Sequence, residues 1–185
     1  PFEVGKSSKL TLDHVEASVP TTTGSFEKSY VEIFGTLEAH YLKYNAQTSE
    51  GLMAEDGGTV IVTDSEITAK GGQDMISAYR GGNMDVSYTT MSGAHCGIHS
   101  QEANSIKVDH VTSTDNLFGV TIYGAKTATV TNSNLGGTVA WLDLQGDHGP
   151  TSLENNYLKP TASGGPPAAI NDPANLSLAV RFSDE

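Results

Sequence analysis

"NSIKVDHVTSTDNLFGVTIYGA", residues 104–125, is one unit of a repeat. In its opening line, apolar Ile106 and Val108 alternate with polar Lys107 and Asp109 before His110 closes the run. That is the two-residue period of a strand with one buried face. The line returns as "LTLDHVEAS" from Leu10, "LEAHYLKYN" from Leu37, "VIVTDSEIT" from Val60, "MDVSYTTMS" from Met84, "ATVTNSNLG" from Ala128 and "SLENNYLKP" from Ser152. Its central apolar residues are Leu12, Ala39, Val62, Val86, Val108, Val130 and Leu153, at steps of 27, 23, 24, 22, 22 and 23 residues. Seven rungs are visible. The polar column that ends them, His14, Tyr41, Asp64, Tyr88, His110, Asn132 and Asn155, predicts a turn at every corner.

A second strand follows in each unit, clearest in "MISAY", "GIHSQ", "GVTIY" and "WLDLQ". Ile76, Ile98, Val120 and Leu142 recur every 22 residues and are expected to form one interior file, continued by Ala78, Ser100, Ile122 and Leu144. Alternation then turns three columns outward: Met75, Gly97, Gly119 and Trp141; Ser77, His99, Thr121 and Asp143; Tyr79, Gln101, Tyr123 and Gln145. His95 and Cys96 are expected in the turn before the strand, in register with Gln73 and Asp74 below.

A unit this short, with strands and no helical period, cannot bury its apolar face alone; stacking coils along an axis buries it. The fold class expected is therefore all-β, a parallel β-helix. Leucine-rich repeats need a Leu-x-x-Leu-x-Leu lattice that is absent, and pentapeptide solenoids have the wrong period. Units such as "TATVTNSNLGGTVAWLDLQGD" and "NSIKVDHVTSTDNLFGVTIYGA" resemble the right-handed parallel β-helix repeats of the pectate-lyase-like superfamily. The resemblance covers roughly residues 8–160 and implies a right-handed solenoid; the repeat itself predicts about seven coils over residues 1–160, and the enlarged first step a loop leaving it near 20–29. Residues 161–185, rich in Pro and Gly, are expected as an irregular tail or cap on the last coils, with "LSLAVRF" as a final strand within it. The same superfamily includes polysaccharide lyases, glycoside hydrolases, epimerases, tailspikes and noncatalytic adhesins, so fold alone does not choose an activity.

Composition narrows the partners. With 22 Asp and Glu against 10 Lys and Arg, a formal net charge of −12 repels phosphates and anionic lipid, so neither nucleic acid nor membrane insertion is expected. A start at Pro1 without Met points to a processed product or an excised fragment, and to an upstream part of a larger chain or another subunit covering the N-terminal open coil. The single cysteine, Cys96, forbids an intramolecular disulfide and a thiolate-based zinc site. His95 and Cys96 lack a third ligand nearby, so no metal site is expected. Acidic residues such as Asp64, Glu66 and Asp74 allow at most weak calcium binding, because the glycine-rich nonapeptide of calcium β-rolls is missing.

The outward strip has the composition of a sugar platform. Trp141, Tyr79 and Tyr123 offer flat apolar faces, and Gln101, Gln145, His99 and Asp143 offer hydrogen bonds, while Gly97 and Gly119 leave a shallow trough. Candidate catalytic residues are His99, Asp143 and Arg80, though His99 and Asp143 stand two rungs, roughly 10 Å, apart. A surface position for His99 predicts that His99→Ala is nearly neutral for stability. The first functional expectation is a noncatalytic β-helical module of a secreted or cell-surface protein, structural or adhesive, with a carbohydrate-binding face for a polysaccharide or surface glycan. The second is a polysaccharide-degrading enzyme, a lyase or glycoside hydrolase, or a fragment of one.

Overall fold

The computed structural model describes residues 2–19, 31–47, 50–145, 149, 151–158, 169–170 and 180–182. The described residues contain strands and turns and no helix. In chain order the strands are β1 (Phe2–Val4), β2 (Lys9–Asp13), β3 (Glu16–Ser18), β4 (Val31–Ile33), β5 (Thr36–His40), β6 (Lys43–Gln47), β7 (Leu52–Glu55), β8 (Thr59–Thr63) and β9 (Glu66–Tyr79). They continue with β10 (Asn83–Ser87), β11 (Thr90–Gln101), β12 (Ser105–Asp109), β13 (Thr112–Tyr123), β14 (Thr127–Thr131), β15 (Asn134–Gln145), β16 (Thr151–Leu158), β17 (Ala169–Ile170) and β18 (Val180–Phe182).

Every pairing is parallel and joins one coil to the next, so the chain is a parallel β-solenoid with three faces. The first face stacks β2, β5, β8, β10, β12, β14 and β16, the seven rungs read from the repeat. The second stacks β3, β6 and the leading halves of β9, β11, β13 and β15. The third stacks β1, β4, β7 and the trailing halves of the same long strands. The described residues make a solenoid of about five turns, whose first face carries the seven rungs read from the repeat.

The interior file is as predicted. Ile76, Ile98, Val120 and Leu142 pair rung to rung and are buried at 2% exposure or less, with Ala78, Ser100, Ile122 and Leu144 beside them. Leu37, Val60, Val86, Val108 and Val130 fill the core from the first face. Burying one such aliphatic side chain stabilises by about 1.5–3 kcal/mol, and repetition of this file is what holds the coils together.

The polar column also takes its predicted place, and the backbone shows why. All seven residues, from His14 to Asn155, have φ between 49° and 55°, the left-handed region that turns the chain sharply between the first and second faces. Asn, Asp and His tolerate it best; Tyr41 and Tyr88 instead stack on His14 and His110, ring centroids 4.5 and 4.8 Å apart. The ladder continues through the corner: the N–H of Tyr41, Asp64, Tyr88 and His110 donates to a carbonyl of the following rung. One residue further, Ser65, Thr89 and Ser133 point inward, and each hydroxyl donates to the carbonyl two residues before it. Ser65 and Ser133 also accept the N–H of Leu42 and Val111 from the rung before.

The loop expected near 20–29 lies outside the described residues, as does most of the tail. The 27-residue first step is nevertheless present in the pairing of Lys9 with Thr36. Within the tail, β18 adds to β16 inside the segment "LSLAVRF", and β17 adds to β15.

Candidate functional site

Several expectations fail on the third face: of the column expected outward, Ser77, Thr121 and Asp143 are buried, and strict alternation breaks nearby. Pairing between β9 and β11 slips between Ser92 and Ala94, and that between β13 and β15 slips on either side of Asn116. His95 and Cys96 therefore lie within the continuous strand β11 rather than in a turn, and Cys96 is buried. Met75, assigned outward, is fully buried in the core cluster, where the chain of the preceding rung crosses at Gly51, whose N–H donates to the Asp74 carbonyl. Gly97 opens no trough: a Cβ there would meet Ser113 Oγ at 2.2 Å. Ser113 and Asn116 close that space as a buried network, in which Asn116 Nδ2 donates to Ser113 Oγ and Asn116 Oδ1 accepts the Ala94 N–H.

His99 is not the solvated surface histidine expected from the column. Its side chain is 23% exposed, and Nδ1 lies 2.6 Å from Oδ2 of Asp74, which is 7% exposed. The Tyr79 hydroxyl donates to the same oxygen at 3.0 Å. Since an ionised carboxylate can only accept, a hydrogen sits on His99 Nδ1 and points at Asp74. Burial alone would raise the Asp74 carboxyl; the hydrogen bond and charge of His99, with Cys96 and Tyr79, outweigh it and hold the group below the ordinary carboxylate value. Burial and then the Asp74 charge push the Tyr79 hydroxyl and the Cys96 thiol up.

Cys96 joins this group from the floor. Its Sγ lies 3.4 Å from His95 Nδ1 and 3.6 Å from Thr121 Oγ1. His95, half-exposed, packs its ring against Phe118 at 5.2 Å and brings Nδ1 to 3.9 Å from Asp74 Oδ1. That oxygen is buried and accepts no hydrogen bond. Ligand atoms of Asp74, Cys96 and His99 all fall within 4.8 Å of one another.

Above the cluster runs a groove of about 320 Å³, lined by His95, Cys96, His99, Gln101, Phe118, Thr121, Tyr123 and Asp143. Of the residues singled out from the sequence, His99, Gln101, Tyr123 and Asp143 are thus brought together, Asp143 as a buried part of the floor. Pairing of His99 with Thr121 and of Thr121 with Asp143 keeps the last two rungs from His99, as expected. Tyr79 and Gln101 line an adjoining depression with Arg80. Arg80 is not at the cluster; it pairs with Glu55 at 2.5 Å and Asp56 at 3.0 Å. The side chains of Trp141 and Gln145 lie outside the described residues.

Asp74 is the residue the sequence reading undervalued. Its register with Cys96 was visible in the 22-residue step, but its contact with His99 runs diagonally, since His99 itself pairs with Ser77. A diagonal side-chain reach between rungs leaves no trace in columns of letters. Comparison of the chain with protein-family models, with curated proteins and with solved structures found no match, so the fold and this cluster stand on their own geometry.

Proposed function

We propose that the chain is a rigid β-helical module of a secreted or cell-surface protein and that the groove on its third face binds a glycan. The observation that carries this reading is the groove itself, in which Tyr123 and Phe118 offer aromatic faces beside the hydrogen-bonding groups of Gln101, His99, Thr121 and Asp143. Flat apolar surface interleaved with side-chain donors and acceptors suits a sugar ring, which is apolar on its faces and polar at its rim. The net charge of −12 favours a neutral glycan over a phosphate-bearing partner. The repeat's resemblance to pectate-lyase-like, right-handed β-helices supports the same class of ligand by analogy of fold.

A second reading, a polysaccharide lyase or glycoside hydrolase, is favoured by one specific contact. Asp74 fixes the His99 ring by its Nδ1–H, the arrangement that aims Nε2 as a general base. A panel of neutral and uronic-acid polysaccharides, with and without calcium, separates the two. Retention of a glycan without new ends, lost in Tyr123→Ala and Gln101→Ala variants of unchanged circular dichroism, supports the binding module. New reducing or unsaturated ends that disappear in His99→Ala establish the enzyme instead. Failure to retain or cleave any glycan of the panel refutes both.

A further inference from the structure

We propose that Asp74, His95, Cys96 and His99 form a binding site for a divalent transition-metal ion of the zinc class. The inference shares His99 with the glycan reading but otherwise rests on Asp74, His95 and Cys96 and not on the aromatic rim of the groove. A tetrahedral ion with bonds of roughly 2.0–2.3 Å sets its ligand atoms about 3.3–3.7 Å apart. Cys96 Sγ and His95 Nδ1 already stand 3.4 Å apart, and His95 Nδ1 and Asp74 Oδ1 3.9 Å apart. The set of Asp74, Cys96 and His99 spans no more than 4.8 Å between ligand atoms, so the ion fits by small side-chain rotations.

The second observation is Asp74 Oδ1. A carboxylate oxygen buried without a hydrogen bond is costly in a protein interior, and here it faces the space between His95 and Cys96. A cation supplies the missing partner. Asp143, also buried in the groove floor, adds negative charge near the thiol, and a divalent ion offsets that accumulation. Tyr79, donating to Asp74 Oδ2, holds the carboxylate from outside the ligand set, as outer hydrogen bonds do in metal sites.

On binding, the Cys96 thiol proton passes to solvent and the His99 ring hydrogen moves from Nδ1 to Nε2, freeing both donor atoms for the ion. One thiolate with two imidazoles and a carboxylate prefers zinc over calcium or magnesium, which take oxygen ligands. The expectation that a lone cysteine excludes a thiolate-bound zinc holds for cysteine-rich sites and not for this mixed set. The groove, lined by His95, Cys96 and His99, provides the entry path.

The test is a titration of the untagged chain, stripped by chelator, with Co²⁺ followed by optical spectroscopy and with Zn²⁺ followed by calorimetry. The expected result is one equivalent of Co²⁺ giving intense visible bands of four-coordinate geometry and a near-ultraviolet thiolate charge-transfer band. Cys96→Ser should abolish that band, and Cys96→Ser and His95→Gln should each weaken Zn²⁺ binding by about tenfold or more. His110→Gln, at the far corner, should change neither. His95 is half-exposed, so its variant reads the site even if substitution at buried Asp74 or Cys96 disturbs folding. A Co²⁺ spectrum without thiolate character, or unchanged Zn²⁺ affinity in folded His95→Gln, overturns the proposal.

Discussion

At the first corner, His14 stacks on Tyr41, Tyr88 stacks on His110, and Asn155 donates to Asn132, each polar residue meeting its counterpart one rung away. On the third face, Asp74 reaches diagonally to His99, three residues beyond its register partner Cys96, buries its charge, and leaves one oxygen without a hydrogen bond. The corner is exposed, in register and shared by all seven rungs. The groove cluster is partly buried, tied by the diagonal Asp74–His99 contact, and centred on the rungs of β9, β11 and β13. In a solenoid, a polar residue that repeats with the coil belongs to the architecture; a buried one that departs from the repeat carries a cost that architecture does not explain.

The largest effect expected tests the frame that both regions share. Ile98→Ala removes the centre of the interior file and should lower stability by about 2–5 kcal/mol in denaturant melts through cavity formation. A loss below that of a surface control would mean the file is not continuous. Next comes the groove. His99→Ala strips a buried carboxylate of its closest donor and should cost about 1–3 kcal/mol, where a surface histidine would cost almost nothing. A neutral result would return His99 to the surface and dissolve the contrast with the corner.

At the corner, Asn132→Val forces a β-branched side chain to φ 50° and should cost about 1–2 kcal/mol, with Asn132→Gly costing less because glycine accepts that φ. The smallest effect is electrostatic. Asp109 accepts hydrogen bonds from Thr131, Asn132 and His110; although burial alone would raise it, these hold its carboxyl at about 2. Because that value is depressed, the unfolded chain binds more protons between about 2 and the ordinary carboxylate range near 4. This contribution is therefore present above that range and is lost as pH falls toward 2. Asp109→Asn should flatten this part of the acid limb in urea melts taken from pH 5 to pH 2, and an unchanged limb would show that the corner hydrogen bonds leave the charge unsupported.

Legibility in the sequence followed the same division. Val108, Ile98 and His110 could be assigned to core, file and corner because a constant step makes chain neighbours at 22 residues into spatial neighbours. Cys96, Met75 and Gly97 were misplaced because β11 runs unbroken where a turn was expected and consecutive residues there are buried on both sides of the strand, so alternation no longer separates inside from outside. The Asp74 contact was illegible for a further reason: it depends on where a side chain reaches, and alternation predicts only which way it leaves the strand.

The corner has a consequence for how such a chain can change. Pairing steps on the second face, Glu16 to Lys43, Lys43 to Glu66, Glu66 to Thr90 and onward, equal those on the first face rung by rung, so the elbow joining these two faces never gains or loses a residue. The third face keeps its own count, from Phe2 to Val31 and from Val31 to Leu52. Two sides of the triangle thus behave as a fixed bracket, and length variation is discharged at the remaining hinges. Asp74 and Cys96 sit beside one of those hinges, where residues can be added without turning the hydrophobic interior inside out.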